Sequence, residues 1–158
     1  AHLRPTPDRV RESLFSMLAH RDVIDGARVL DLFAGTGALA FEALSRGAQS
    51  AVLIEKGRVG QRLISENIKL LGATEAQLKR MDATRLGPLG AEPFTLVFLD
   101  PPYGQALGQK ALIAAHDQIA PGAVIVWEEK EIQVPPAGYA PLDQRRMGGS
   151  CITLLTRT

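Results

Sequence analysis

Short apolar runs alternate along this chain with longer segments in which apolar residues recur every three or four positions. Buried strands are predicted at residues 28–33, 50–55, 76–81, 94–99 and 123–128. Amphipathic helices are predicted at residues 7–19, 37–46, 58–71 and 106–119. Thr6 is the expected cap of the first helix, and Pro7 its first helical position. Strands and helices in alternation are typical of a parallel α/β sheet.

The end of the chain departs from this alternation. Residues 142–147 and 151–156 flank a Gly-Gly-Ser turn, which predicts a hairpin of antiparallel strands, while Pro-Gly at 121–122 predicts a turn before the fifth strand. We therefore predict one α/β domain over residues 1–158. Its sheet is seven-stranded and mostly parallel, with an antiparallel last strand and helices on both faces. That is the Rossmann-like fold of class I methyltransferases, whereas a dinucleotide-binding Rossmann fold normally continues with a further parallel strand.

The composition is that of a globular protein and argues against several kinds of site. Of 158 residues, 46% are hydrophobic and 22% are charged. The single cysteine rules out an intramolecular disulfide and argues against a cysteine-ligated metal, and we expect no metal site. No apolar run reaches the roughly 18 residues of a membrane span, so a cytoplasmic protein without a membrane partner is expected. With a net charge of +1, any nucleic acid must be bound by a local basic patch.

A glycine-rich turn at residues 31–37 joins the first strand to a helix. Gly35 and Gly37 allow positive φ and let a ligand touch the backbone beside the free N–H groups of the helix. Glu55 ends the second strand, 55 − 37 = 18 residues after Gly37, about where an acidic residue binds ribose hydroxyls. For the glycine-rich residues the alternative is a plain tight turn without a ligand, and for Glu55 it is a solvated charge at the end of a strand. An NAD-binding protein fits these features equally well.

The sequence Asp100-Pro101-Pro102-Tyr103 at the end of the fourth strand distinguishes a methyltransferase from an NAD-binding protein. Prolines remove N–H donors, so the backbone carbonyls of this loop are acceptors only. Together with Asp100 they offer two acceptors, which match the two hydrogens of an exocyclic amine, and Tyr103 offers a flat face to a base. We predict Asp100, Pro101 and Tyr103 as catalytic residues of an enzyme that methylates an exocyclic nitrogen. A rigid turn ending a strand is the alternative.

With these motifs in place, the chain resembles the RsmD-type bacterial 16S ribosomal RNA guanine-N2 methyltransferases. The resemblance covers nearly the whole chain, and it is carried by residues 4–12, 31–39, 42–48, 55–56 and 100–103. Family members more often have serine where Thr36 stands. They usually begin with a Gly- and Arg-rich segment, which we expect this chain to lack. The resemblance implies a cytoplasmic enzyme that uses S-adenosylmethionine on a guanine of 16S ribosomal RNA in an assembling small subunit. We expect it to act as a monomer.

The resemblance also assigns the cofactor pocket. It places four residues around the methionine moiety, namely Asp31, Phe33, Gly35 and Gly37. It places Glu55 on the ribose, Asp82 and Ala83 beside the adenine, and Thr6 over the cofactor. For Asp82, a cap on the turn that follows is an equally reasonable interpretation.

Contacts with RNA are predicted from the distribution of basic residues. Residues 1–21 carry four arginines against two acidic residues, an excess of 4 − 2 = +2. Arg4, Arg11, Arg145 and Arg146 are the predicted RNA contacts, and for the last two a solvated hairpin end is equally reasonable. Two other functions stay open: an adenine-N6 methyltransferase acting on DNA or RNA, and a non-catalytic nucleotide-binding module.

Overall fold

A seven-stranded sheet organises the part of the chain that the computed structural model describes, residues 7–103 and 105–158. The strands are β1 (Arg28–Leu32), β2 (Ser50–Ile54), β3 (Ala76–Lys79), β4 (Phe94–Leu99), β5 (Ile119–Glu129), β6 (Tyr139–Met147) and β7 (Ser150–Arg157). The helices are α1 (Asp8–His20), α2 (Ala38–Ser45), α3 (Arg58–Leu71) and α4 (Leu107–Ala115), and a 3₁₀ turn, His116–Gln118, follows α4. Within the described ranges, no helix is both long and apolar enough to cross a membrane.

The strands lie in the order β3-β2-β1-β4-β5-β7-β6. Strands β1 to β5 pair in parallel, and β7 pairs antiparallel with both β5 and β6. The predicted mixed sheet with an antiparallel last strand is confirmed. All five parallel strands end at one edge of the sheet, and the turn between β6 and β7 lies at that same edge.

Helices cover both faces of the sheet, as predicted. On one face, buried residues of α1, α2 and α3 pack with alternate residues of the strands in a first apolar cluster that includes Phe15, Phe98 and Leu154. On the other face, α4 and the loop after β3 form a second cluster, in which Trp127 is 1% exposed. The central strands have apolar residues toward both clusters, which is why their sequences are continuous hydrophobic runs.

Several local predictions differ from the structure: α4 ends at Ala115 instead of residue 119, and β6 begins at Tyr139 instead of residue 142. Two further differences concern prolines. Helix α1 begins at Asp8, and Pro7 precedes it in an extended conformation with ψ 145° instead of occupying the first helical position. The pair at 121–122 lies inside β5 instead of before it. There the pairing with β4 shifts between Phe94 and Leu96, and Gly122 has φ +83°. Pro121 and Gly122 therefore form an irregularity within β5, and the strand continues beyond it.

Candidate active site

Four acidic residues meet at the edge where the parallel strands end. Asp31 lies in β1, Glu55 directly follows β2, Asp82 lies three residues after β3, and Asp100 directly follows β4. The carboxyl ends of neighbouring parallel strands form the crevice in which open α/β sheets bind ligands. The sheet therefore brings together the acidic residues that the sequence predicts for the cofactor pocket and for catalysis.

In the turn after β1, residues 33, 35 and 37 each have a left-handed backbone conformation. Gly35 and Gly37 have φ +62° and +83°, and Phe33, which is not a glycine, has φ +58°. A left-handed conformation at a bulky residue costs roughly 1–3 kcal/mol and is typical of functional sites. The turn is held by the N–H of Ala34, which donates to the carbonyl of Ile54 at 2.9 Å. Phe33, Gly35 and Gly37 thus shape one rigid loop at the end of β1.

Glu55 is buried and bridges two loops through its carboxylate. Its Oε1 accepts from the N–H of Gly35 at 2.8 Å, and its Oε2 accepts from the N–H of Gly57 at 2.9 Å. Each carboxylate oxygen can accept a second donor, so ribose hydroxyls can still bind there. Gly60 packs directly against this pair, since a Cβ at that position would lie 2.7 Å from the Gly35 carbonyl oxygen and 2.9 Å from the side chain of Glu55.

Asp31 supplies a test of whether the site fits a cationic group. The residue is 2% exposed, and its Oδ2 has no hydrogen-bond partner among the described residues. Burial, with the negative charge of Asp100 next in size and that of Glu55 smaller, raises the pKa of Asp31 well above its usual range, although the N–H of Ala40 opposes the shift. An amino-acid ammonium group offers both a donor and a positive charge. The residues present therefore fit the methionine moiety of the predicted cofactor.

Asp31→Asn is expected to stabilise the protein without cofactor at neutral pH. Because the pKa is higher in the folded protein than in the unfolded chain, the free energy of unfolding falls as pH rises from the ordinary pKa of an aspartate toward the raised one. Asparagine removes this loss, and we expect the melting midpoint at pH 7 to rise by at least about 2 °C. Melting curves across pH measure it, with the fully exposed Asp117→Asn as control. A lower melting midpoint in Asp31→Asn would contradict the raised pKa of Asp31.

Asp82 caps the turn that follows it, as the alternative interpretation predicts. Its Oδ1 accepts from the N–H of Thr84 at 2.9 Å and from the Thr84 hydroxyl at 2.8 Å, and these bonds lower the pKa of Asp82. Its Oδ2 lies 3.9 Å from Nζ of Lys56. Ala83 is buried in the second apolar cluster. Adenine binding by Asp82 and Ala83 stays a prediction, and only the turn-capping role of Asp82 is seen directly.

The turn between β6 and β7 lies close to both the loop after β4 and helix α1. Asp100 and Tyr103 are half-buried and Pro101 is buried. The Tyr103 hydroxyl lies 3.4 Å from Oγ of Ser150, the first residue of β7. At the neighbouring Gly148, a Cβ would lie 2.7 Å from Cγ2 of Val10 in α1. The hairpin turn therefore lies between α1 and the loop that carries the predicted catalytic residues.

Among the arginines predicted to contact RNA, two come from the start of the chain. Arg4, like Thr6, lies outside the described residues. Arg11 pairs with two acidic residues: its Nη2 lies 3.0 Å from Oδ1 of Asp8, and its Nε lies 3.4 Å from Oε1 of Glu42. The Arg11 guanidinium is thus engaged within the protein, and its contact with RNA stays a prediction.

The other two arginines point to opposite faces of the sheet. Arg145 pairs across the hairpin with Ile152, which packs in the first cluster on the side of α1. Arg146 is the next residue of the strand, so its side chain points to the other face. Each has an acidic neighbour, Asp143 at 3.2 Å from Nε of Arg145 and Glu131 at 4.0 Å from Nη2 of Arg146. Of the two, Arg145 is the one on the face of α1.

Sequence reasoning missed several residues of the site. Gly57, Gly60 and Ser150 were not singled out, although Gly57 donates to Glu55, Gly60 packs on it, and Ser150 lies against Tyr103. Gly57 and Gly60, at the start of the third helix, were a weak signal of a close contact, since glycine is unfavourable in a helix unless space is limited. For Ser150 the sequence carries no signal, because its neighbours come from distant parts of the chain.

The conserved hypothetical protein 95 family model matches residues 1–156. Ribosomal RNA small subunit methyltransferase D of Escherichia coli K12 is 38% identical over 152 residues, which are 93% of this chain and 75% of that protein. The protein of the same name from Haemophilus influenzae is 32% identical over 154 residues, 92% of this chain and 79% of that protein.

Solved structures are similar over almost the same extent. The yhhF protein of Escherichia coli has a TM-score of 0.84 at 34% identity, and the match covers 98% of this chain and 88% of that one. An RNA methyltransferase from Salinibacter ruber, solved in complex with S-adenosyl-L-homocysteine, has a TM-score of 0.73 at 23% identity and covers 98% of this chain and 94% of that one. The second likeness concerns the fold alone.

Proposed function

We propose an RNA methyltransferase function from one premise: the chain belongs to the conserved hypothetical protein 95 family, that of the RsmD-type ribosomal RNA methyltransferases. We propose that it methylates the exocyclic N2 of a guanine in 16S ribosomal RNA. The observation that carries this proposal is the loop at residues 100–103, in which Asp100 lies close enough to the buried Asp31 for its charge to raise the pKa of that carboxyl.

S-adenosylmethionine is the methyl donor of this function and supplies an electrophilic methyl group on a sulfonium. The carboxylate of Asp31 would accept from the ammonium group of the methionine moiety. The turn at Gly35 and Gly37 lets that moiety approach the backbone. Glu55, already oriented by two backbone N–H groups, would accept from the ribose hydroxyls.

Asp100 and the backbone carbonyl of Pro101 would accept the two hydrogens of the target amine. Accepting both draws the nitrogen from planar toward tetrahedral and raises a lone pair that points at the methyl group. Tyr103 would stack on the base. Removing the base from its neighbours costs a few kcal/mol unless it already lies in a loop. These groups therefore act by holding one nitrogen in position.

Positioning of this kind is the main source of rate in the proposed reaction. Well-oriented reactants recover up to roughly 7–11 kcal/mol of the barrier. Asp100 need not be a strong base, because the amine becomes acidic only after it has been methylated. Its proton then leaves to water.

We also propose the setting of the reaction. Residues 1–158 would act as one catalytic domain and as a monomer, on 16S ribosomal RNA within an assembling small subunit in the cytoplasm. The relatives named for small-subunit ribosomal RNA support that partner.

Nucleoside analysis is the direct test of the proposed function. The protein is incubated with methyl-labelled S-adenosylmethionine and small-subunit particles that lack the modification, and the RNA is then digested to nucleosides. We expect label in N2-methylguanosine, at one label per particle or less. Particles that already carry the modification are the matched control and should accept no label.

The other two functions give different results in the same assay. Label in N6-methyladenosine would replace the proposal with an adenine methyltransferase. Binding of S-adenosylhomocysteine in calorimetry, together with no labelled nucleoside from any RNA or DNA, would replace it with a nucleotide-binding module. Binding of NAD without binding of S-adenosylhomocysteine would overturn the cofactor as well.

A further inference from the structure

Glu128 lies at the end of β5, next to the loop that follows β4. Leu99, the last residue of β4, pairs with Trp127, so Asp100 directly follows β4 beside Glu128 of β5. Their side chains are two positions beyond Phe98 and Val126, which pack in the first apolar cluster. Side chains two residues apart in a strand point to the same face. Glu128 therefore points to the face of α1, at the edge where the methyl acceptor would bind.

The Glu128 carboxylate is oriented by the hairpin. The residue is 8% exposed, and its Oε2 accepts from the Ser150 hydroxyl at 2.9 Å. The same Ser150 oxygen lies 3.4 Å from the Tyr103 hydroxyl. Its Oε1 accepts no hydrogen bond from the residues that the structure describes. Glu128 thus places a carboxylate oxygen, without a donor in the described ranges, near the aromatic ring proposed to stack on the base.

The following residue, Glu129, is more buried, at 4% exposed, and points the other way. Its Oε2 accepts from Nε1 of Trp127, whose ring lies in the second apolar cluster. Glu129 therefore supports the indole on the face of α4. Two adjacent glutamates thus have different surroundings: Glu128 accepts from Ser150, whose hydroxyl lies near Tyr103, and Glu129 accepts from Trp127.

We propose, resting on the proposed function, that Glu128 is the specificity-determining residue that accepts the N1–H of the target guanine. Guanine has donors at N1 and N2 on its Watson–Crick edge. If Asp100 and Pro101 accept from the N2 amine, the adjacent N1–H needs one further acceptor. Adenine has a lone pair at N1, which a carboxylate repels. Sites built to hydrogen-bond one edge reject a base that leaves a buried polar group unpaired.

The test exchanges hydrogen-bond donor and acceptor both at N1 of the target base and at the side chain of residue 128. The RNA substrates are small-subunit particles with guanosine, or with 2-aminopurine riboside, at the target position. The second base keeps the N2 amine but has a lone pair at N1. We expect the unchanged protein to methylate guanosine at least about tenfold faster than 2-aminopurine. In Glu128→Gln the amide can donate to that lone pair, so we expect the rate ratio to fall at least about tenfold.

Glu129→Gln is the matched control, and its rate ratio should equal that of the unchanged protein. The ratio does not depend on the fraction of folded protein, so a general loss of stability cannot imitate the effect. Ser150→Ala should lower the ratio less than Glu128→Gln, because it removes only the group that orients the carboxylate. An unchanged ratio in Glu128→Gln would overturn this inference while leaving the proposed function intact. A protein that does not methylate guanine N2 at all would overturn the proposed function instead.

Discussion

Asp100→Ala is expected to lower the rate of methyl transfer by about 10²–10³-fold, the usual cost of losing one preorganised group at a reacting atom. The reason is geometric, since Asp100 follows β4 at the edge where the ends of the strands form the site. In the proposed function its carboxylate contacts the target amine and not the cofactor. We therefore expect the affinity for S-adenosylhomocysteine, measured by calorimetry, to change by no more than a few-fold. Single-turnover rates on small-subunit particles measure the loss.

The variant should fold, because the negative charge of Asp100 is one cause of the raised pKa of the buried Asp31. Removing that charge relieves a repulsion inside the folded protein. Asp117→Ala is the control, since that side chain is fully exposed. An equal loss of cofactor affinity and of turnover in Asp100→Ala would show that the residue belongs to the cofactor site. Full activity would remove it from the site altogether.

The sheet could be predicted from the sequence because each central strand is a continuous apolar run. The run Phe94–Leu99 is apolar toward both faces, and only a strand covered on both sides needs such a run. The glycines after β1 were equally informative, since Gly35 and Gly37 take positive φ. The irregularity within β5 was not predicted, because Pro121 and Gly122 are typical of turns and the sequence does not show that the strand resumes its pairing beyond them.

The contacts within the site could be predicted less well than the positions of its residues. Glu55 was identified by its spacing from Gly37, but its bridge from Gly35 to Gly57 depends on how α3 packs against the turn. The approach of Gly60 to the same carboxylate depends on that packing too. Such contacts join segments that only the completed fold brings together. Periodicity in the sequence reports the face on which a residue lies and not its partners.

The contacts with RNA could be predicted only in part for the same reason, and they stay a prediction. Arg145 and Arg146 are adjacent in sequence, but only Arg145 lies on the face of α1. Arg9 is an exposed residue of that helix. The contact between Gly148 and Val10 brings the hairpin turn to the first half of α1. We therefore propose Arg9 and Arg145, among the described residues, as the basic residues that contact RNA beside the proposed base site.

Charge reversal at both positions, Arg9→Glu with Arg145→Glu, is expected to weaken RNA binding strongly and to flatten its dependence on salt. Each lost phosphate contact removes about 0.9 from the slope of log affinity against log salt concentration. We therefore expect the slope to fall by nearly two and the affinity at low salt to fall at least about tenfold. Filter binding of 16S ribosomal RNA over a range of salt concentrations measures both quantities.

Arg146→Glu is the matched control, because it makes the same change of charge one residue away on the opposite face of the sheet. Its effect on the slope should be less than half that of Arg145→Glu alone. The affinity for S-adenosylhomocysteine should stay within a few-fold in all these variants, since neither Arg9 nor Arg145 lies at the end of a parallel strand where the cofactor would bind. Equal effects of Arg145→Glu and Arg146→Glu would show that the face does not matter and that the RNA is attracted by overall charge. An unchanged slope in the double variant would place the docking surface elsewhere on the chain or on the ribosomal particle.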